Sequence, residues 1–206
     1  MAHERSFDRL VNFSDAVVAI AITLLGLPLI DLAAELGQNG LDTVGELLAH
    51  NQTRLLGFLL SFAVIALFWT GHHRVYDQLK GYTRSLIWVN MLWLAAIVFL
   101  PFPTEIIATG HSDDAGAIAL YIGTMIVSSV ALVLQVIIIR AHPELIDGDP
   151  ETVSLVPSLV VLAALVAALV LALLLPGLNL WTLWLVLPAQ FVTRRIQARR
   201  GVALED

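Results

Sequence analysis

An aspartate within the first apolar segment is the most informative polar residue of this chain. Asp15 lies in the stretch from Arg9 to Pro28, which reads RLVNFSDAVVAIAITLLGLP and is long enough to cross a membrane. A charged side chain at that depth costs about 2.5 kcal/mol or more on insertion scales, and such residues face the protein interior and have partners there. The sequence therefore predicts a polar interior behind this segment.

Candidate partners for Asp15 lie in the next two apolar segments. His72 and His73 end the second segment, and Asn90 lies a turn or two inside the third, on the same side of the membrane. We expect a single buried polar cluster that contains Arg9, Asp15, one histidine and Asn90. Adjacent residues on a helix point about 100° apart, so at most one histidine reaches Asp15. A two-histidine metal site is not expected, because this spacing does not converge and no third ligand is placed.

Three roles for Asp15 are chemically reasonable. It can lock helices together, relay protons with a histidine, or form part of a hydrolytic triad with Ser14 and His73. Ser14 and Asp15 are adjacent and point in different directions on a helix, which argues against a triad. We favour the structural role over the proton relay, catalysis and metal binding.

The composition identifies a membrane protein. Of the 206 residues, 58% are hydrophobic and 14% are charged, whereas a soluble domain carries about 25% charged residues. A membrane-spanning helix needs about 20 apolar residues, and six segments meet or approach this length, at about 10–30, 54–73, 85–104, 116–140, 153–175 and 178–194. The absence of cysteine excludes disulfides and thiolate metal sites. We expect one all-α membrane domain over residues 1–206, without cofactor and without a nucleic-acid partner.

The basic residues alternate between the two sides of the predicted membrane domain. They lie before the first segment, in the second and fourth connections and in the C-terminal tail, whereas the other three connections are acidic and hold only Arg54. Cytoplasmic loops are enriched in Lys and Arg, so both termini are predicted to be cytoplasmic in a multi-pass protein of the inner cell membrane. No cleavable signal peptide is expected at the start, so the first segment is predicted to be retained.

Shorter features are predicted in the connections. A surface helix is expected between Asp42 and His50, and tight outer turns at Gly110–Asp114 and Leu175–Asn179. Trp69, Trp88 and Trp181 are expected in the membrane-interface belt. Gln135 is expected to form an interhelical hydrogen bond, and the terminal RRIQARR sequence to bind anionic lipid headgroups.

The first segment has a narrow aliphatic stripe on the side away from Asp15. At about 100° per residue, four side chains fall within one arc of about 100°, namely Ile20, Thr23, Leu24 and Leu27. A stripe of this kind is ordinary core or lipid-facing packing in most membrane proteins. The stripe alone therefore does not predict a pore.

Three motifs in order resemble a known channel family. They are Arg9-x-x-x-Phe13-Ser14-Asp15 followed by AVVAIAITLL, then Phe68-Trp69-x-x-His72-His73, then Asn90 with the Pro101-Phe102-Pro103 run. Together they resemble the prokaryotic relatives of the endolysosomal potassium channel. The resemblance covers about the first half of the chain, and the last three segments match only in hydropathy.

The resemblance implies a fold, an assembly and an ion. Members of the family are six-helix subunits in which the first helices line a central potassium-selective pore, and four copies of a chain with one repeat, as here, form a homotetramer. It implies that Ile20 forms the narrowest ring, Thr23 a hydroxyl layer, and Leu24 and Leu27 outer apolar rings. The network implied to pack the helices consists of Arg9, Phe13, Ser14, Asp15, His72, His73 and Asn90. The usual filter loop is absent, and the TVG triplet at 43–45 is read as coincidence.

Three functional classes follow from these residues. A passive potassium channel, which is not an enzyme, is favoured. A proton-coupled transporter with an Asp15–histidine relay is the alternative, although it is typically associated with a broken helix near the membrane centre and internal repeats, and the sequence shows neither. A membrane-embedded hydrolase is disfavoured by the adjacent placement of Ser14 and Asp15.

Overall fold

The part of the chain that the structure describes is all-α. The computed structural model describes residues 2–38, 42–111, 113–149 and 152–175, with side chains from residue 7 onward. Five of the predicted membrane spans are confirmed as long apolar helical segments, at Phe7–Glu35, Gln52–Tyr76, Arg84–His111, Ala115–Ala141 and Val156–Leu174. The sixth predicted span, Trp181, the turn at 176–179 and the basic tail lie outside the described residues.

The first span is a helix in two pieces. Helix α1 covers Ala2–Leu25 and α2 covers Leu27–Leu32, with a short 3-10 turn at Ala33–Glu35. The break falls at Gly26, since Pro28 in the first turn of α2 has no N–H to continue the α1 hydrogen-bond ladder. The helix begins well before residue 10, where the sequence analysis placed its start.

The first connection contains the surface helix that the sequence predicts. Helix α3, Val44–His50, begins with a capping box in which the Thr43 hydroxyl accepts from the Glu46 N–H and the Glu46 carboxylate accepts from the Thr43 N–H. Hydrogen bonds from the Thr43 side chain and backbone hold the pKa of Glu46 below its ordinary value. Helix α4, Gln52–Tyr76, follows directly and forms the second span.

The end of the first span and the start of the second are joined by an ion pair. Arg54 Nη1 lies 3.0 Å from Glu35 Oε1, and Asn51 Nδ2 donates to Glu35 Oε2 at 3.2 Å. The one basic residue in the acidic connections is therefore neutralised by a neighbouring carboxylate. This pairing explains why Arg54 departs from the charge pattern of the other connections.

The third span also breaks, between Phe99 and Pro101. Helix α5 covers Arg84–Phe99 and α6 covers Pro101–Ile106, and Pro101 stands at the first helical position, where its missing N–H leaves no bond unmade. The chain then turns at Ile107–His111, where Gly110 has a φ of 101°. Gly110 is the first residue of the predicted turn at Gly110–Asp114, and the span extends beyond residue 104 to reach it.

The last two described spans complete the bundle. Helix α7 covers Ala115–Ala141 and α8 covers Val156–Leu174. Helix α7 lies between α5 and α8 and supplies much of the core, including Tyr121, Met125 and Val136. At the end of the bundle that the charge pattern predicts to be cytoplasmic, which we call the inner end, an isolated bridge joins Leu79 to Ile146.

A buried hydroxyl and a buried amide on α7 differ in whether they have hydrogen-bond partners. Tyr121 Oη, Ser61 Oγ and Thr104 Oγ1 form a buried hydroxyl cluster in which Ser61 lies 2.8 Å from each of the other two oxygens. In contrast, neither amide atom of the buried Gln135 has a hydrogen-bond partner among the described residues. The interhelical hydrogen bond expected for Gln135 is therefore not found among the described residues.

Two buried tyrosines provide a matched test of the hydroxyl cluster. Both are about 1% exposed, but the Tyr121 hydroxyl is bonded and the Tyr76 hydroxyl has no partner among the described residues. We predict that Tyr121→Phe lowers the free energy of unfolding by about 1 kcal/mol, whereas Tyr76→Phe leaves it unchanged or raises it. The measurement is unfolding of the purified protein by SDS in mild detergent. Equal losses in the two variants would contradict the assignment.

Candidate functional site

Helix α1 has one buried face and one exposed face. The buried face carries Val18, Ala21 and Leu25, which pack into the core of the protomer. On the opposite face the side chains of Ile20 and Leu24 are 58% and 38% exposed, with Thr23 exposed beside them, and Leu27 at the start of α2 is 53% exposed. The four stripe residues therefore lie together on a surface that the other described residues leave open.

A chain of buried hydrogen bonds holds the other face of α1. Asn90 Nδ2 on α5 donates to Ser14 Oγ at 2.8 Å, and Ser14 Oγ donates to the Leu10 carbonyl at 3.0 Å. Asn90 Oδ1 lies 2.8 Å from His72 Nε2 on α4. Because an amide oxygen only accepts, His72 Nε2 carries the proton in this contact. Three helices are thus joined through one asparagine.

Aromatic rings fix the His72 imidazole on both sides. The ring is stacked between Trp93 and Tyr76, with each centroid 4.0 Å from that of the imidazole. On the far side of Tyr76, the Phe7 ring of α1 is also stacked, at 6.2 Å. Since all four rings are buried, the imidazole cannot reorient without disturbing the packing between α1, α4 and α5.

Asp15 is bonded to a tryptophan, not to a histidine. Trp69 Nε1 donates to Asp15 Oδ1 at 2.8 Å, and the Trp69 ring stacks on His73 with a centroid distance of 5.0 Å. The expected Asp15–histidine pairing was wrong. His72 Nε2 donates its hydrogen bond to Asn90 Oδ1, and the indole N–H of Trp69 donates to the Asp15 carboxylate. Trp69 therefore has a partner that the sequence analysis did not assign to it.

The remaining motif residues lie away from this network. Arg9 is exposed, and Phe13 is 51% exposed on the same side of α1 as the stripe, so neither packs into the buried network as expected. His73 lies at the edge, with Nε2 3.4 Å from Asp77 Oδ2. Sequence reasoning missed Trp69 as a network residue, although its spacing of four from His73 places both on one helix face.

The described residues hold no group of three or more His, Asp or Glu side chains arranged for a metal ion. Among the described residues, a buried hydrogen-bond network of Ser14, Asn90 and His72 holds one side of α1. The opposite side presents the exposed aliphatic stripe with the Thr23 hydroxyl.

Comparisons with known proteins identify the family. The family model described as endosomal/lysosomal potassium channel TMEM175 matches residues 9–101. A potassium channel from Chryseobacterium sp. is 30% identical over 137 residues, which cover 66% of this chain and 67% of the relative. A potassium channel from Streptomyces collinus is 32% identical over 128 residues, 62% and 60% of the two chains. The chain belongs to the TMEM175 family.

A solved structure supports the same fold. The crystal structure of a lysosomal potassium-selective channel TMEM175 homologue from Chamaesiphon minutus matches with a TM-score of 0.60 and 24% sequence identity, covering 90% of this chain and 98% of that one. A more distant relative from Danio rerio, named endosomal/lysosomal proton channel TMEM175, is 24% identical over 145 residues, 70% of this chain and 27% of the relative.

Two buried amides provide a matched test of the network. We predict that Asn90→Leu lowers the free energy of unfolding by about 1–3 kcal/mol, because it deprives Ser14 and His72 of a partner. Gln135→Leu has no such partner to remove, so it is expected to leave stability unchanged or higher. Both variants are compared by SDS unfolding in mild detergent. A loss in Gln135→Leu as large as that in Asn90→Leu would contradict the role assigned to Asn90.

Proposed function

We propose that this protein is a potassium-selective channel in which four copies surround a central pore lined by the exposed face of α1. The observation that carries the proposal is the two-sided character of α1. Buried hydrogen bonds fix one face, and the opposite face leaves an aliphatic stripe open over several turns. The names of the bacterial relatives supply the ion, and the shared fold makes the same arrangement of helices reasonable here.

The stripe gives the proposed pore a simple physical design. A ring of Ile20 side chains at the axis forms a neck that expels water when narrow and conducts when widened, which is hydrophobic gating. Leu24 and Leu27 form wider apolar rings toward the outer mouth. Ile20 is suited to the neck because its backbone lies between two buried neighbours of α1, Val18 and Ala21, which hold its position.

The Thr23 hydroxyl is the polar group of the proposed ion route. Thr23 Oγ1 lies 2.7 Å from the Ile20 carbonyl, to which it donates its proton. With the hydrogen turned into the helix, the oxygen lone pairs face outward. Four such oxygens beside the Ile20 neck replace part of the hydration shell of a cation, which is how channels favour one ion over another.

The wider proposal covers assembly and location. The protein is a homotetramer of six-span subunits in the inner cell membrane, with both termini in the cytoplasm. The predicted sixth span at 178–194 completes each subunit, as one membrane domain over residues 1–206. It transports potassium ions passively, is not an enzyme and has no cofactor.

Reversal-potential measurements test the function directly. Purified protein in planar bilayers is placed under a potassium-to-sodium gradient, and in a second arm under a pH gradient at equal potassium. We expect the reversal potential to follow potassium in the first arm and to stay near zero in the second. A reversal potential set by protons would support a proton pathway instead, as the names of the vertebrate relatives imply for those proteins. Proton-driven potassium uptake without passive current would support the transporter alternative.

The Ile20 neck is tested by a polar substitution with a matched control. We predict that Ile20→Asn gives a larger and less selective leak, because the asparagine ring keeps the neck hydrated. Ile137, which is 47% exposed on α7, serves as control, and Ile137→Asn is expected to leave conductance and selectivity unchanged. Both are measured in bilayers. Wild-type conductance and selectivity in Ile20→Asn would exclude Ile20 as the constriction.

The Thr23 hydroxyl layer is tested by isosteric replacement. We predict that Thr23→Val lowers the potassium-to-sodium permeability ratio severalfold, because the oxygen ligands are replaced by methyl groups of equal size. Thr23→Ser retains the hydroxyl and is expected to retain most of the ratio. Bi-ionic reversal potentials give both values. Equal ratios in Thr23→Val and the wild type would show that selectivity arises elsewhere.

A further inference from the structure

The exposed face of α1 continues past the stripe toward the inner end of the bundle. Phe7 lies at that end, because its ring stacks at 6.2 Å on Tyr76, the last residue of α4. Between Phe7 and Ile20, the exposed side chains of the helix include Phe13 and Ala16. The open surface of α1 therefore extends inward from Ile20 by about two further turns.

Phe13 points in nearly the same direction as Ile20. The two residues are seven apart, which at about 100° and about 1.5 Å per residue places them about 20° apart around the helix axis and about 10 Å apart along it. Phe13 is 51% exposed, whereas the next residue, Ser14, is 1% exposed and accepts a hydrogen bond from Asn90 at 2.8 Å. The hydrogen bond that holds Ser14 inward therefore also holds Phe13 on the stripe side.

Other aromatic rings at the inner end are packed, in contrast to Phe13. Phe7, Tyr76, His72 and Trp93 form one continuous stack, and all four are buried. Among the described residues, no ring stacks on Phe13, and Phe13 belongs to neither of the two buried apolar clusters. A bulky aromatic side chain is thus left unpacked on the open face of α1.

We propose that Phe13 lines the ion route on the inner side of the Ile20 neck, where four copies of its ring form a binding site for quaternary ammonium ions. This inference rests on the function proposed above. Because the proposed pore places Ile20 at the axis, a side chain about 20° away and about two turns further in faces the same axis. The motif that contains Phe13 then contributes to the ion route as well as to helix packing.

The chemistry of the phenyl ring selects this class of ligand. The face of an aromatic ring attracts cations, and several rings around one ion form the cages that recognise quaternary ammonium groups. The alkyl groups of such an ion also favour an apolar surface over water. Ala16 lies between Phe13 and Ile20 on the exposed face, about one turn from each, and its small side chain leaves room for a bulky ion. A tetrabutylammonium ion entering from the inner side is therefore expected to bind below the neck and stop the current.

Two charged residues lie near the entrance to this site. Asp8 and Arg9 are both exposed, and their formal charges cancel. Arg9 is about 40° from Phe13 around the helix axis and Asp8 is about 140° from it, so the positive charge is the nearer of the two to the proposed route. Arg9→Gln is therefore expected to strengthen the block by tetrabutylammonium, because it removes a positive charge that repels the ion.

The position of Phe13 is tested by cysteine accessibility. The chain contains no cysteine, so Phe13→Cys introduces a single thiol. A methanethiosulfonate reagent with a trimethylammonium group is applied to the inner side of inside-out patches from spheroplasts. We expect it to reduce the potassium current of Phe13→Cys, because the attached cation occupies the route. Phe102, which is 56% exposed on α6, provides the matched control, and the current of Phe102→Cys is expected to be unaffected.

The ligand class is tested with tetrabutylammonium on the inner side of the same patches. The block is measured against the unblocked potassium current of each variant. Phe13→Tyr retains the ring and is expected to retain the block. Phe13→Leu retains an apolar side chain without a ring face, so the block is expected to weaken about tenfold, the size of a cation–π attraction in a partly desolvated site. Phe102→Leu is expected to be blocked as strongly as the wild type.

The outcomes separate this inference from the proposed function. Elution of each variant as the wild-type assembly shows that it is folded, and the Phe13→Tyr and Phe13→Leu pair decides the question where Phe13→Cys does not assemble. A potassium current of Phe13→Cys that ignores the reagent places Phe13 against lipid or between copies and overturns the inference. Equal block of Phe13→Leu and the wild type, or weaker block in Arg9→Gln, also overturns it, and in each case the proposed function is left intact. Absence of potassium current in the wild type overturns the proposed function and the inference with it.

Discussion

The burial of polar side chains behind α1 is the constraint on which the rest of the structure depends. The hydrocarbon core of a bilayer holds no water that could hydrogen-bond a polar side chain. Ser14, Asn90 and His72 are instead hydrogen-bonded to one another inside the bundle. This requirement fixes the rotation of α1 about its own axis. Because successive residues are about 100° apart around the helix axis, Ile20 and Leu24 face outward when Ser14 faces inward. The chemistry of one face therefore determines the composition of the other.

Much of the fold was predictable from the sequence because membrane spans carry a strong signal. The segments at about 54–73 and 116–140 correspond to helices at Gln52–Tyr76 and Ala115–Ala141, and the capped surface helix at Val44–His50 was also predicted. The breaks at Gly26 and Leu100 were not predicted, although Pro28 and Pro101 mark both places in the sequence. Proline-induced breaks in these positions are compatible with continuous hydropathy, so an apolar run predicts a span without revealing that its helix is interrupted.

The sequence predicted which residues form the candidate site better than it predicted which of them are hydrogen-bonded to each other. Sequence reasoning gathered Asp15, His72 and Asn90 at one depth, but paired the acid with a histidine. The actual partner, Trp69, was assigned to the membrane interface, as tryptophans usually are. Phe13 is a second example: the motif placed it in the helix-packing network, but about half of its surface is exposed. Which group meets which depends on side-chain directions that sequence spacing alone does not resolve.

The break at Gly26 divides the stripe between two helices. Ile20, Thr23 and Leu24 belong to α1, whereas Leu27 belongs to α2, whose far end is tied through Glu35 to Arg54 of the second span. Within the proposed pore, the part of the wall formed by α1 is held by contacts at the inner end of the subunit, and the part formed by α2 is held by contacts at its outer end. Such a wall contains two barriers in series with independent anchors, and dilation of one does not require dilation of the other.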